Sequence, residues 1–517
     1  MENAKILWVD DEIELLRPHI IFLEQKGYQV DTSNNGDDAL EMIMKGIYDI
    51  IFLDENMPGL TGIETLEKIK VMLPNLPVVM ITKSEEESIM EDAIGSNISD
   101  YLIKPVKPNQ ILLSLKKNLE NKKLVSEKTT FSYQQEFRQI SMEISGNPDY
   151  AGWVDIYKKL TRWELELEKS NDESMAEILQ MQKDEANQVF SRFVDTNYLD
   201  WIHGKSGDRP VMSPTLFKDK VFPLLERNET LFVILIDNLR YDQWKAIQPL
   251  IEEFYRVDKE ELYYSILPTT TQYARNSIFS GLMPLEIQRK YPKYWMNEEE
   301  EGSKNQFEGE LLGEYMKRYG KEVKYDYNKI LNLNAGKKLV DNLPNLLNNK
   351  LVVIVYNFVD MLSHARTEME IIRELADDEK AYRSLMVSWF NNSPLFDTLK
   401  FLSEKKVNLL ITTDHGSVRT QNPIKVVGDR NTTTNLRYKS GKSLNYNPKD
   451  VFEVRNPAEA FLPQSNVSTA YIFCGGNDFF AYPNNYNYYV NFYKNTFQHG
   501  GISLEEMLIP VVYLKTR

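Results

Sequence analysis

The chain has 517 residues, which at about 150 per domain suggests about three domains, each large enough to bury a core. Its 61 Lys+Arg against 76 Asp+Glu leave a net charge of −15, which excludes a generally polybasic nucleic-acid binder but not a local basic site. A single cysteine, Cys474, excludes a disulfide scaffold and a cysteine-based zinc module and fits a reducing compartment; only five histidines are present, so their positions matter.

The N-terminus runs directly into Lys5-Ile6-Leu7-Trp8-Val9-Asp10, a first strand rather than the basic and apolar regions of a signal peptide. Apolar runs such as 231–236 and 351–356 have strand length and are too short to span a bilayer. A soluble, cytoplasmic protein without membrane insertion is expected. Residues 1–120 alternate β-branched runs (6–9, 50–53, 78–81, 101–103) with amphipathic stretches such as 38–44, the pattern of a parallel sheet covered by helices. Residues 121–215 are rich in Glu, Lys, Gln, Met and Trp and poor in Pro and Gly. Trp163, Leu165, Leu167, Ile178, Leu179 and Met181 predict a helical bundle that spaces two domains. From 216 to 517 the α/β pattern returns, with strand candidates at 231–236, 351–356, 409–412 and 470–473. Residues 290–335 read as an insertion, 416–455 as a long polar loop or lid, and 298–301 as a short acidic run.

In the first segment Asp10 and Asp11 follow the first strand, Asp54 ends the third, and Thr82 and Lys104 end the fourth and fifth. A doubly wound sheet brings such strand ends to one edge. Three carboxylates there make an Mg²⁺ site, and an aspartate beside Mg²⁺ can attack a phosphoryl group, with a hydroxyl and an ammonium stabilising the product. These positions, with Leu53-Asp54-Glu55-Asn56-Met57-Pro58-Gly59 and Asp100-Tyr101-Leu102-Ile103-Lys104-Pro105, resemble a response-regulator receiver domain. The resemblance implies phosphorylation at Asp54 and Mg²⁺ held by Asp11, Asp54 and the Asn56 carbonyl, with Asp10 nearby. It also implies a switch made by Thr82, Tyr101 and Lys104. Lys83 departs from the small residue that usually follows the threonine.

In the third segment Asp237, Asp360 and Asp414 each follow an apolar run; His364 lies four residues after Asp360, His415 directly follows Asp414, and His499 precedes Gly500-Gly501. Asp360 and His364 are spaced to share one face of a helical turn. Three aspartates and three histidines can hold two divalent metals, best Zn²⁺ with Mn²⁺ as runner-up, and two metals about 4 Å apart clamp an in-line phosphoryl displacement. Pro268-Thr269-Thr270-Thr271-Gln272 supplies hydroxyls at a helix start. Taken singly, each aspartate reads as a helix cap and the threonines as a capping turn; His19 and His203 fit no constellation and read as structural.

The ordered set resembles the alkaline-phosphatase superfamily, and within it the PglZ branch: Asp237, the Thr-rich turn, Asp360-x-x-x-His364, Thr413-Asp414-His415-Gly416 and His499-Gly500-Gly501. Counting back from Gly281, the resemblance selects Thr271 as the nucleophile. It implies two Zn²⁺, one on Asp237, Thr271, Asp414 and His415, the other on Asp360, His364 and His499. Residues 416–455 carry eight basic and three acidic residues, with Tyr438 and Tyr446 interleaved, which suggests a substrate-facing lid. Arg437, Tyr438 and Lys439 are its substrate-binding candidates, and Arg275, one turn after Thr271, is another for phosphate. A nucleotide or oligonucleotide diester is the expected substrate.

The fold class expected is therefore α/β multidomain: a doubly wound parallel-sheet receiver (1–120), a helical-bundle linker (121–215) and a larger α/β alkaline-phosphatase-like effector (216–517). The whole order resembles the PorX-type response regulators of Bacteroidota. That resemblance implies a sensor histidine kinase as partner, a homodimer on phosphorylation and a role in type IX secretion. The alternative is a non-catalytic metal-binding regulator that binds a transcription or secretion factor. A DNA-binding regulator is disfavoured because no helix-turn-helix is visible. Residues 1–120 hold 22 acidic and 11 basic residues, so the receiver carries most of the negative charge.

Overall fold

The computed structural model describes residues 4–74, 76–83, 98–170, 173–205, 207–226, 230–298, 300–376, 378–429, 432–464 and 466–517. Two compact units are present, residues 1–134 with 170–172, and residues 135–169 with 173–517. Each is described by itself.

The first unit is a five-stranded parallel sheet of β1 (Lys5–Val9), β2 (Gln29–Ser33), β3 (Ile50–Asp54), β4 (Val78–Thr82) and β5 (Asp100–Ile103), in the order β2-β1-β3-β4-β5. Successive side chains point to opposite faces and both faces are buried, which is why the strands read as unbroken apolar runs. Ile6, Trp8, Phe52 and Ile81 pack on one face with Ile20, Leu23, Ile111 and Leu115. Leu7, Val9, Leu53 and Met80 pack on the other with Ala39, Ile43, Leu66 and Ile69. A capping box fixes the start of helix Gly62–Met72, where Thr61 Oγ1 accepts from Glu64 N and Glu64 accepts from Thr61 N. The strand order reverses between β1 and β3, and the carboxylates lie at that switch point.

The second unit is built on a six-stranded sheet of β6 (Leu231–Ile236), β7 (Tyr255–Tyr264), β8 (Tyr325–Ile330), β9 (Leu351–Tyr356), β10 (Leu409–Thr412) and the C-terminal strand Leu508–Thr516. The order is β7, Leu508–Thr516, β10, β6, β9, β8. Strands β10, β6, β9 and β8 run parallel, and Leu508–Thr516 is antiparallel to both its neighbours. β8 and helix Glu308–Arg318 fall within the stretch expected to be an insertion, so much of that stretch belongs to the domain core. Its strand alternates polar and aromatic residues at a half-buried sheet edge, which hides it from a search for apolar runs.

Two further expectations are corrected. Residues 416–455 are not one long loop: they contribute strands Val418–Arg419, Asn422–Lys425, Tyr438–Gly441 and Val451–Val454 to three small sheets. The strand expected at 470–473 is Ala470–Cys474, and it is the middle of one of these small sheets rather than part of the main sheet. Arg430 and Glu299 lie outside the described residues.

The linker is helical as expected, with helices Pro108–Ser145, Tyr150–Ser170 and Glu173–His203, but no break separates residues 120 and 121. Nor is it merely a spacer, because its latter part packs with the effector in one unit. Phe190 is fully buried between Trp153 and Tyr264 of β7, at ring-centroid distances of 5.3 and 6.2 Å. Asn187 bridges Leu504 N (2.8 Å) and Glu505 (3.0 Å). Lys183 pairs with Glu164 at 2.8 Å, and Arg383 binds Glu164, Glu168 and Asp242. No helix among the described residues is long and apolar enough to cross a membrane.

Packing of this kind makes linker and effector one cooperative unit. Phe190→Ala removes a ring from a filled core and should destabilise that unit by about 3–5 kcal/mol. Denaturant unfolding followed by effector tryptophan fluorescence should show the midpoint fall, and an unchanged midpoint would contradict this packing.

Candidate functional site

At the receiver edge, the carboxylates of Asp10, Asp11 and Asp54 offer oxygens within 4.8 Å of one another. Asp10 and Asp54 are buried and Asp11 is exposed. Lys104 Nζ bridges Asp10 (2.8 Å) and Asp54 (2.9 Å). Burial opposes its charge, but the bonds to these two carboxylates outweigh that and raise its pKa. Burial pushes the Asp54 carboxyl up, with the neighbouring Asp10 adding to it. Three hard oxygen donors with an open side fit Mg²⁺. Thr82 ends β4 fully buried, Tyr101 lies half-buried on β5 and Asn56 is exposed in the turn after β3. Lys83 pairs with Glu12 at 3.0 Å, beside a cavity of about 420 Å³ that Asp10 and Lys104 also line.

In the second unit β6, β9 and β10 deliver the aspartates. Asp237 follows β6 directly, Asp414 follows β10 by one residue, and Asp360 lies in the first turn of helix Phe358–Glu368 after β9. Two trios result, Asp237–Asp414–His415 and Asp360–His364–His499, each with donor atoms within 4.8 Å of one another. They adjoin, with the His415 and His499 rings stacked at 4.4 Å; within the second trio His499 Nε2 lies 3.6 Å from Asp360 Oδ1. The first trio is fully buried, whereas the His364 side chain is 63 % exposed and opens the second to solvent.

Thr271 begins the helical segment Thr271–Arg275. Its Oγ1 lies 3.1 Å from His415 Nε2 and 3.4 Å from Asp237 Oδ1. Thr269 is engaged elsewhere, donating to the Gly501 carbonyl (2.9 Å) and accepting from Gly500 N (3.0 Å), which positions the His499 segment. Gly500 has φ +123, a conformation open to glycine, and a Cβ there would stand 2.7 Å from the Tyr438 ring. With a proton on Nδ1, His499 donates to the Thr269 carbonyl (3.3 Å) and turns its Nε2 lone pair to Asp360. Burial, reinforced by His415 and His364, holds the His499 pKa well below the ordinary range, so the ring is neutral and ready to act as a ligand.

The carboxyls are tuned apart. Burial would raise Asp237, but Arg275 and His415 outweigh it and lower its pKa. Asp414 is pushed up to about 6 by burial and by the charge of Asp237. Asp414 Oδ2 is buried and accepts no hydrogen bond. An orphaned carboxylate oxygen aimed into imidazole and carboxylate donors fits a divalent metal, with Zn²⁺ suited to the mixture.

Three substrate-binding candidates face inward instead. Arg275 is buried, with Nη1 on Asp237 Oδ2 (2.8 Å) and Nε on Glu308 (2.6 Å); it buttresses the trio and does not reach into solvent. Arg437 is buried in an ion pair with Glu506 (2.7 Å), whose other oxygen accepts from Gly501 N. Lys439 is 1 % exposed and donates to the Thr433 carbonyl. A charge count along the chain cannot separate cations that are paired in the interior from those that face solvent. Tyr438 does line a cavity, of about 740 Å³, together with Gln272, Tyr273, Trp295, Asn435 and Tyr471. Gln272 follows Thr271, and Asn435 donates to the His499 carbonyl (3.1 Å), so the cavity adjoins the trios and has room for a nucleoside-sized group. The hydroxyls of Tyr438 and Tyr446 are held by Glu298 and Glu453.

Sequence reasoning passed over Glu308, Asn435 and Asn238. Asn238 follows Asp237 at φ +64 and bonds both Asp414 and Asp360 at 3.4 Å, and its adjacency to Asp237 was the available signal. Glu308 gave none.

A receiver carrying an acidic pocket, on one chain with an alkaline-phosphatase-like α/β domain, defines a response regulator with a phosphatase-like output domain. A family model described as the BREX system PglZ alkaline phosphatase-like domain matches residues 216–514, and the chain belongs to that family. The response regulator receiver domain matches residues 6–116 and the PorX response regulator linker domain residues 123–202, which together make the PorX-type architecture. Transcriptional regulatory protein ResD of Bacillus subtilis is 35% identical over 114 residues, 22% of this chain and 47% of that protein. The alginate biosynthesis regulatory protein AlgB of Pseudomonas putida is 34% identical over 122 residues, 24% of this chain and 27% of that protein. The chain thus spans less than half the length of these curated relatives. Among solved structures, a CheY-like receiver domain from Methanospirillum hungatei is 26% identical, covering 23% of this chain and 96% of that chain at a TM-score of 0.23.

Metal uptake should carry a proton signature. Asp414 keeps its proton up to about pH 6 in the folded, metal-free chain, against an ordinary 3.8. The folded state therefore holds a proton that the unfolded state lacks between these values, and metal-free stability falls as pH rises through that window. A metal requires the carboxylate, so Zn²⁺ binding should release this proton below about pH 6 and not at neutral pH. Zn²⁺ titrations in weak buffer measure the release. A release that does not change with pH, or that survives in Asp414→Asn, would contradict the assignment.

Proposed function

We propose that the chain is a phosphorylation-controlled, zinc-dependent phosphodiesterase acting on nucleotide or oligonucleotide diesters, with Thr271 as its nucleophile. The observation that carries this reading is the Thr271 hydroxyl facing one ligand trio, with a second trio stacked beside it through His415 and His499. Asp237, Thr271, Asp414 and His415 would hold one Zn²⁺, and Asp360, His364 and His499 the other. Bound zinc would neutralise phosphoryl oxygens and make the Thr271 hydroxyl acidic enough to ionise.

The chain's own residues supply the rest. Thr271 Oγ attacks phosphorus, forming an O–P bond while the bond to the departing alcohol breaks. Water then cleaves the phospho-threonyl ester and restores the hydroxyl. Arg275 holds Asp237 Oδ2, which leaves Oδ1 turned to Thr271. The cavity beside Gln272 and Tyr438 offers rings and amides for the rest of the substrate, in keeping with a nucleotide.

On the receiver, a sensor histidine kinase would transfer its phosphoryl group to Asp54, with Mg²⁺ on Asp10, Asp11, Asp54 and the Asn56 carbonyl. Lys104, Thr82 and Tyr101 would read the modification, and homodimerisation would carry it to the effector. Control of type IX secretion in the cytoplasm rests on the PorX-type relationship.

Thr271→Val should lower zinc-dependent hydrolysis of a dinucleotide by three or more orders of magnitude, about the loss expected for a nucleophile. Asp54→Ala should keep basal hydrolysis and lose the stimulation given by phosphodonor. Full activity of Thr271→Val would remove the nucleophile. Zinc-loaded wild type that hydrolyses no mono-, di- or cyclic ester, yet binds a transcription or secretion factor, would instead favour a non-catalytic regulator.

A further inference from the structure

Helix Tyr486–Tyr493 contains five aromatic residues in eight, and none of its side chains is buried. Tyr488 is 64 % exposed and Tyr489 40 %. Neither intrinsic propensity nor core packing accounts for this composition, since Tyr, Phe and Asn are mediocre helix formers and these rings fill no core. The rings are ordered against one another instead: Tyr488 and Phe492 lie within 16° of parallel, and Tyr489 and Tyr493 within 10°. Cations sit over two of them, Lys425 Nζ at 4.8 Å from the Tyr486 ring and Arg373 at 5.1 Å from Phe492. Within a chain of net charge −15, residues 479–504 contain no Asp or Glu, while Asn484, Asn485, Asn487, Asn491 and Asn495 stud the aromatic stretch.

The helix is also tied to the metal-binding trios. Tyr493 and His499 are six positions apart, at most about 22 Å of extended chain. The connecting segment hangs from helix Phe358–Glu368, which carries Asp360 and His364: Ser363 donates to the Phe497 carbonyl (3.2 Å) and Arg366 to the Asn495 carbonyl.

We propose that the helix Tyr486–Tyr493 is an exosite for a single-stranded oligonucleotide, in which Tyr488 and Tyr489 stack bases and Lys425 and Arg373 meet phosphates. Exposed rings, flanking cations and amides are what such a strand uses. The proposal rests on the reading of the metal trios as a nucleotide-diester site, and it extends that site to strands longer than the scissile unit.

The test is equilibrium binding of a fluorescein-labelled single-stranded DNA dodecamer to the full-length Thr271→Val chain, where turnover is removed, so failure of the exosite is distinguished from failure of catalysis. Replacing both Tyr488 and Tyr489 by Ala should weaken binding by about tenfold or more, and replacing both by Phe should restore it. Lys425→Gln should reduce the slope of log affinity against log salt by about 0.7. No binding by the parent chain, or equal binding by the double-alanine chain, would overturn the proposal. So would a double-alanine chain whose only change is a lost self-association in sedimentation, which would make the helix a contact between copies.

Discussion

Three carboxylates converge at the end of the effector sheet, and Arg275 is what lets them do so. Two carboxylates about 4 Å apart repel by about 4 kcal/mol at an effective dielectric of about 20, and burial worsens the cost of each. Arg275 answers this from beneath, bonded to Asp237 and Glu308 and 3.8 Å from Asp414. It also divides the labour of Asp237, taking Oδ2 and leaving Oδ1 to the Thr271 side. Thr271 and Arg275 are four residues apart on one helical segment, so the hydroxyl and the counter-charge are carried by a single rigid piece. The low pKa of Asp237 and the direction of its free oxygen towards Thr271 both draw on this one cation.

A separate cluster of acids, Asp242 buried and Glu164 and Glu379 half-buried, shows why three carboxylates do not by themselves make a metal site. Glu164, Asp242 and Glu379 also offer oxygens within 4.8 Å of one another. Around them, however, stand Arg240, Arg383 and Lys183, and the acids are taken up in ion pairs. At Asp237, Asp414 and His415 one guanidinium serves the cluster, and Asp414 Oδ2 has no hydrogen-bond donor. The fully matched cluster joins linker helices to the effector, where removing one partner would leave a buried charge uncompensated. The under-matched cluster is left with capacity for a divalent cation.

Strand ends were the legible part of this chain. Apolar runs ending in Asp10, Asp54, Asp237 and Asp414 mark the same edge of a parallel sheet wherever they occur, so both constellations could be placed from local pattern. What local pattern does not carry is the partner of a charge. Arg437 and Lys439 looked like a basic lid because their neighbours in sequence are polar, yet their partners are Glu506, distant in sequence, and the Thr433 carbonyl. Arg275 stood one turn from Thr271 as expected, but its direction was set by Glu308, inside a stretch that read as an insertion. The helix Tyr486–Tyr493 is silent for a related reason: a run of aromatics in sequence does not show whether the rings are buried, and here none is.

The two sites use similar donors to different ends, and burial decides which. In the receiver, Asp11 is exposed and Lys104 already bridges Asp10 and Asp54, so a cation entering there meets solvent on one side and a resident ammonium on the other. Such a pocket suits an exchangeable cation. In the effector, Asp237, Asp414 and His415 are fully buried, and His499 is held neutral by its surroundings. Leaving that pocket without a cation keeps Asp414 half-committed to a proton near pH 6. A metal there satisfies the lone pairs that folding has already oriented, which is the property of a resident centre rather than of a switch.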